Sequence, residues 1–278
     1  MIPAPFEYRR ATSVEEALRM LGDGGEDAKL LAGGHSLLPL MKLRLAAPSM
    51  LVDIGRLRDL SYVRDTGDTI AIGALTRHRD VETDPLVAEH APILAHVAGQ
   101  VGDPQVRHRG TIGGSIAHGD PASDLPAATL ALGATFEVVA PGGAKRSIPA
   151  ADFFRGFLET ALAPAEILTE IVVPKVTGAG WSFQKFNRRA QDWAIVGVAA
   201  VRNGSTGIGL VNMGSTPLRA TAVEEALAGG ASVQEAASHA ADGLDPPSDL
   251  NASPEYRAHL ARVLVRRALE EAAGSSRS

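Results

Sequence analysis

The chain contains no cysteine in its 278 residues. That excludes disulfides, a thiolate nucleophile, a cysteine zinc site and an ordinary iron–sulfur cluster held by the chain itself. Redox chemistry would need a bound organic cofactor, and electrons exchanged with a metal cluster would involve another polypeptide. An excess of positive charge is also missing: 27 Lys and Arg stand against 32 Asp and Glu, a formal net charge of −5. Such a surface favours neither nucleic acid nor anionic membrane. No apolar run reaches transmembrane length, and the stretch up to Arg10 has no secretory apolar core, so a cytoplasmic protein is expected. No solenoid-length repeat is found. What is present is 45% hydrophobic residues, over a length that suits two domains or one with a distinct second lobe.

The most informative stretch is Lys29-Leu30-Leu31-Ala32-Gly33-Gly34-His35-Ser36-Leu37-Leu38-Pro39. An apolar run breaks into two glycines and reopens at Ser36, which reads as strand, tight turn and helix start with Ser36 as cap. Glycines let backbone N–H groups approach a ligand, and a helix N-terminus adds partial positive charge. Such a turn suits a phosphate. Eighty residues on, Thr111-Ile112-Gly113-Gly114-Ser115 repeats the Gly-Gly pair with a hydroxyl on each side. Two such turns could clamp the two phosphates of a dinucleotide. Two unrelated tight turns remain the plain alternative. Neither stretch has the three glycines of the Rossmann fingerprint or the lysine of a P-loop.

Around these stretches the pattern predicts a helix over 13–21 capped by Ser13, a helix over 37–45 and a strand over 50–54, together an α/β unit of about fifty-five residues. Strands are expected at 62–64 and 69–74, then helix over 76–99 interrupted near Pro85 and Pro92. A helix over 125–132, a hairpin of 135–139 with 145–148, and a strand over 167–173 follow. Val176 to Gly180 reads as a linker. Beyond it come strands at 181–186, 194–202 and 207–213, then helices at 220–227, 233–241 and 254–273, with disorder expected from Gly274 to Ser278.

Five segments carry a resemblance. Pro5-Phe6-Glu7-Tyr8, the Leu30–Pro39 stretch, Arg109-Gly110-Thr111-Ile112-Gly113-Gly114, Asp120-Pro121-Ala122-Ser123-Asp124-Leu125-Pro126 and Arg188-Arg189-Ala190-Gln191-Asp192-Trp193-Ala194 occur in the order of a known family. Over nearly its whole length the chain resembles the FAD-binding medium subunits of the molybdenum hydroxylases, in the carbon monoxide dehydrogenase branch. The resemblance implies an α+β, vanillyl-alcohol-oxidase-like fold: an FAD-binding domain over 1–175 (subdomains 1–56 and 57–175) and a smaller α+β domain over 176–278. It implies non-covalent FAD, an iron–sulfur small subunit and a molybdopterin large subunit as partners, and quinone, NAD or oxygen as acceptor. A location on the inner face of the membrane would come only through such a complex. A stand-alone FAD-dependent oxidase or dehydrogenase is the alternative.

Carried over residue by residue, Ala32, Gly33, Gly34, His35, Ser36 and Leu37 would wrap the pyrophosphate from one side, and Thr111, Gly113, Gly114 and Ser115 from the other. Asp124 would accept from the ribose or adenine end, or else serve as N-cap before Leu125. Lys185 would lie near the flavin ring, where a cation favours the reduced anion, or else be a solvated strand lysine. Ala117, Asp120, Leu168 and Asp192 complete the implied cofactor set, and Trp193 is either a flavin contact or packing. Ser115 stands where many relatives carry asparagine, and Phe183 where tyrosine is frequent. His35 and His118 read as loop residues contributing backbone, with flavin attachment the sharper alternative. No catalytic acid–base residue and no metal ligand is expected.

Overall fold

The computed structural model describes residues 2–275. Four short elements precede a parallel strand: β1 (Glu7–Arg10), α1 (Val14–Gly24), β2 (Ala28–Leu31) and α2 (Leu37–Lys42) lead to β3 (Met50–Asp53). They form a three-stranded parallel sheet in the order β1-β3-β2. The serine cap of α1 is real, since the Ser13 hydroxyl accepts from the Glu16 N–H. Ser36 precedes α2, but its hydroxyl makes no capping bond. The expected helix over 37–45 is one turn shorter, because Arg44 takes a left-handed φ of 59°.

The second unit begins with β4 (Val63–Asp65) and β5 (Thr69–Gly73). Helix is then broken at both prolines into α3 (His78–Thr83), α4 (Pro85–His90) and α5 (Pro92–Gly99). Proline has no N–H to give and is tolerated only in a first turn, so each break falls just before one. Two short helices, α6 (Pro104–Arg109) and α7 (Ile112–His118), lead to α8 (Asp124–Leu132). The strands β6 (Thr135–Val139), β7 (Lys145–Pro149), β8 (Phe154–Gly156), β9 (Glu159–Thr160) and β10 (Ile167–Pro174) follow. The main sheet is antiparallel with order β4-β5-β10-β6-β7.

The remaining chain forms a four-stranded antiparallel sheet of β11 (Gly180–Phe186), β12 (Val196–Asn203), β13 (Ser205–Val211) and β14 (Leu218–Arg219). It is covered by α9 (Thr221–Ala228), α10 (Val233–Ser238) and α11 (Pro254–Ser275). Gly180 is therefore strand, not linker. Gly274 and Ser275, expected to be disordered, are the last residues of α11, and the rest of that expectation lies outside the described residues.

One helix ties the last two units together. Every residue of α8 is buried, the polar Asp124 and Thr129 included, as expected of a helix covered on all sides. One side meets the second unit's core. The other lies against β13, where Gly207 and Gly209 present bare backbone: a Cβ on Gly209 would stand 1.9 Å from the Ala127 carbonyl oxygen, and one on Gly207 2.1 Å from that of Ala131. Absence of side chains at these two points lets helix and sheet approach this closely. Phe183, Ala199 and Val201 from the third unit accordingly join the apolar core of the second. No described helix is long and apolar enough to cross a membrane.

Candidate cofactor site

A cavity of about 550 Å³ opens where the three units converge. That is within the range of small-molecule sites. Its walls include Ala32 to Leu37 from the first unit and Thr111, Gly113, Gly114, Ser115, Ala117, His118, Asp124 and Leu168 from the second. Lys185, Asp192 and Trp193 come from the third. Asp120 is the exception among the expected residues. It does not line the cavity; its carboxylate instead accepts from the Ala122 N–H at 2.8 Å, closing the turn before α8.

The two glycine pairs differ in kind. Gly34 has φ +78°, which a side chain would strain, and the chain turns there from β2 into α2. Among the described residues none accepts a hydrogen bond from the N–H groups of Gly33, Gly34, His35 or Ser36. Successive free N–H groups at a turn of this kind form a cradle for an anion. Gly113 and Gly114 are not a tight turn at all; they lie in the first turn of α7. Their N–H groups already donate, Gly113 to the Ala74 carbonyl at 2.9 Å and Gly114 to the Thr111 hydroxyl at 3.1 Å. Ser115 N–H donates to the Thr111 carbonyl at 3.0 Å. The expected two-sided clamp is therefore asymmetric. The first stretch offers N–H groups, whereas the second offers a close wall and the Ser115 hydroxyl.

Both glycines of the second pair are also needed by the protein itself. A Cβ on Gly113 would lie 2.6 Å from the Ala74 carbonyl oxygen, and one on Gly114 2.7 Å from Thr111 Oγ1. Substitution there damages the fold before it tests a ligand.

Asp124 and Lys185 meet in the cavity wall. Lys185 Nζ is 2.7 Å from Asp124 Oδ2 and donates to the Gln100 carbonyl at 3.1 Å; the two side chains are only 9% and 7% exposed. The N-cap of α8 is Ser123, so Asp124 is not the cap, and Lys185 is not a solvated strand lysine. The two groups share a hydrogen bond, so the residues expected at the nucleoside and at the flavin stand together in one stretch of the wall. Asp124 Oδ1 is buried without a partner, and burial pushes this carboxyl's pKa up against the pull of Lys185. A buried acceptor with nothing to accept from is what a polar ligand would satisfy.

Several wall residues had no sequence signal. His78 is 5% exposed and lines the cavity beside Gly110, and its Nδ1 has no partner. Burial, reinforced by the charges of His35, Arg77 and Arg107, pushes its pKa down to about 4, so it is neutral at pH 7. Burial also lowers His118 below the ordinary histidine value. Val101, Val106 and Leu162 add apolar surface to the wall. Only tertiary packing brings these scattered, individually ordinary residues to one place.

The free N–H groups at Gly33–Ser36, the apolar wall and the unsatisfied carboxylate oxygen fit a bound dinucleotide. Comparisons with known proteins agree. Residues 4–176 match the family model described as the FAD binding domain in molybdopterin dehydrogenase, and residues 181–272 match the CO dehydrogenase flavoprotein C-terminal domain. The chain is 44% identical over 283 residues to the carbon monoxide dehydrogenase medium chain of Hydrogenophaga pseudoflava, covering 98% of each. It is 40% identical to the 6-hydroxypseudooxynicotine dehydrogenase complex subunit alpha of Paenarthrobacter nicotinovorans, covering 98% of this chain and 96% of that one. Its fold superposes on a solved structure of the Hydrogenophaga pseudoflava carbon monoxide dehydrogenase with TM-score 0.95, at 45% identity and 99% coverage of both chains. The chain is an FAD-binding oxidoreductase component and belongs to the medium-subunit family of the molybdenum hydroxylases.

Proposed function

We propose that this chain is the electron-transfer subunit of a molybdenum-containing dehydrogenase complex. It takes electrons from iron–sulfur clusters of a small subunit, which a molybdopterin-bearing large subunit supplies, and hands them to an external acceptor such as quinone, NAD or oxygen. We assign residues 1–175 to FAD binding, in subdomains 1–56 and 57–175, and 176–278 to a C-terminal flavoprotein domain. The observation that carries this reading is the cavity built from all three units, in a chain with no cysteine to hold a cluster of its own. An acid or base free to take a substrate proton would favour a stand-alone enzyme instead. Neutral His78 and the paired Asp124 and Lys185 suit holding a cofactor better than moving a proton.

The N–H groups of Gly33 to Ser36 hold the pyrophosphate, with the Ser115 hydroxyl facing them from α7. Asp124 and Lys185 together hold one polar edge of the ligand, and Leu37, Ala117 and Leu168 keep water from it. FAD, when bound, can take up electrons singly and release them in pairs. The chain's own task is therefore to position that cofactor and to surround it with fixed charges.

The test is the native complex purified from its source. Three subunits with combined flavin and iron–sulfur absorption are expected. A single polypeptide that keeps its FAD and oxidises a small substrate unaided would overturn the proposal. Precipitating the same sample with acid should leave all the yellow colour in the supernatant; colour in the pellet would point instead to attachment at a residue such as His35 or His118.

A further inference from the structure

Asn212 follows β13 with φ 62°, in the left-handed region that side-chain-bearing residues seldom take and asparagine tolerates best. From there its backbone N–H donates to the Pro121 carbonyl at 2.7 Å, and its side-chain Nδ2 donates to the Ala194 carbonyl at 3.0 Å. Neither carbonyl lines the cavity, but each lies in a segment that carries residues of a different wall. Pro121 lies in the turn that delivers Asp124 at the start of α8. Ala194 directly follows Asp192 and Trp193, in the loop over 187–194. Asn212 itself is half-buried and does not line the cavity.

The loop is well fixed at its stem. The Ile195 N–H donates to the Phe186 carbonyl at 2.7 Å, and the fully buried Arg257 guanidinium donates to the Ile195 carbonyl. Its tip is open: Arg188, Arg189 and Ala190 are exposed, and Trp193 is 60% exposed. Among the described residues the Asn212 amide bonds the loop to the residue that follows β13, and the backbone bond of that same residue reaches the second unit. We propose that Asn212 is a positioning residue for the cofactor site. It staples the loop bearing Asp192 and Trp193 to the turn bearing Asp124, so that walls from two units close on a ligand together. This inference rests on the proposed cofactor site and adds the residue that holds its halves in register. The side-chain amide is required, because only a donor can face the Ala194 carbonyl.

Asn212→Gly and Asn212→Asp test it. Glycine accepts the left-handed backbone without strain, so the fold persists while the amide is lost. Aspartate keeps the shape but presents an acceptor to an acceptor. In the full-length chain freed of FAD, tryptic cleavage after Arg188 and Arg189 should quicken about five-fold in both variants, the loss of one hydrogen bond to a locally opening segment. The unfolding temperature of Asn212→Gly should stay at the wild-type value. With FAD restored, the flavin should dissociate about five-fold faster, followed by the return of its fluorescence on dilution. Unchanged cleavage would overturn the staple irrespective of the cofactor. Faster cleavage with unchanged flavin release would show that the staple exists but does not position the site, which also overturns the proposal. A wild-type chain that takes up no FAD would sink the functional reading, and this role with it, while the cleavage result still reports on the staple itself.

Discussion

Replacing Lys185 by methionine should destabilise the chain by about 3–5 kcal/mol at neutral pH, the range found when one partner of a buried ion pair is removed. Both side chains are almost fully buried, and Asp124 Oδ1 has no partner to fall back on. Without the ammonium, Asp124 either stays charged in an apolar wall or takes up a proton. The sign of the pH effect follows. Burial already raises the Asp124 pKa in the folded chain, and removing Lys185 takes away the influence that opposed it. A carboxyl that binds its proton more tightly when folded destabilises the native state as pH rises from the unfolded value of about 3.9 through the raised folded value. The deficit of Lys185→Met should therefore shrink on going from pH 7 to pH 5, as measured by chemical denaturation. A deficit independent of pH would show that Asp124 is not the group left stranded. Asp124→Asn should cost less, since Lys185 keeps the Gln100 carbonyl at the C-terminal end of α5, where the helix dipole favours a cation. Joining Asp124→Leu to Lys185→Met should recover much of the loss, because the stranded charge is gone.

Gly209→Ala should cost about 3 kcal/mol, or about 6–12 °C in unfolding temperature. The added methyl would stand 1.9 Å from a backbone carbonyl of α8, and neither helix nor strand can yield without opening the seam between the units. The same displacement would move the start of α8, and with it Asp124, away from Lys185, so flavin content should fall with stability. Gly22→Ala is the control. That glycine sits exposed within α1, with nothing near its absent Cβ, and the change should stabilise by about 0.5–1 kcal/mol. A thermal melt of the three proteins side by side decides both. If Gly209→Ala melted with the wild type, the close seam between α8 and β13 would be wrong.

Much of the fold was legible because it is local. Proline placed the breaks that give α4 and α5, the Ser13 cap opened α1, the turn residues Pro141-Gly142-Gly143 marked the hairpin of β6 and β7, and an apolar run marked β12. Short elements without periodicity were not legible: β8, β9 and β14 are two or three residues each, and β1 is four. They exist because a neighbouring strand is there to pair with them. Most expected cofactor residues do converge on one cavity, since the family's motifs mark positions that a common fold brings together.

Sequence alone determined the absence of any cluster-holding cysteine, the glycine turn at Gly33 and Gly34, and the motif order that marks the family. These depend on which residues are present and on what stands next to them. Tertiary structure decided the rest. It took the N–H groups of Gly113 and Gly114 into bonds with Ala74 and Thr111, turned Asp120 onto its own loop, and joined Asp124 to Lys185 across 61 positions of chain. It also brought His78 and Asn212 to the site's edge. A hydrogen bond is set by distance and direction in space, and residues far apart in the chain acquire those only when α8 lies down on β13.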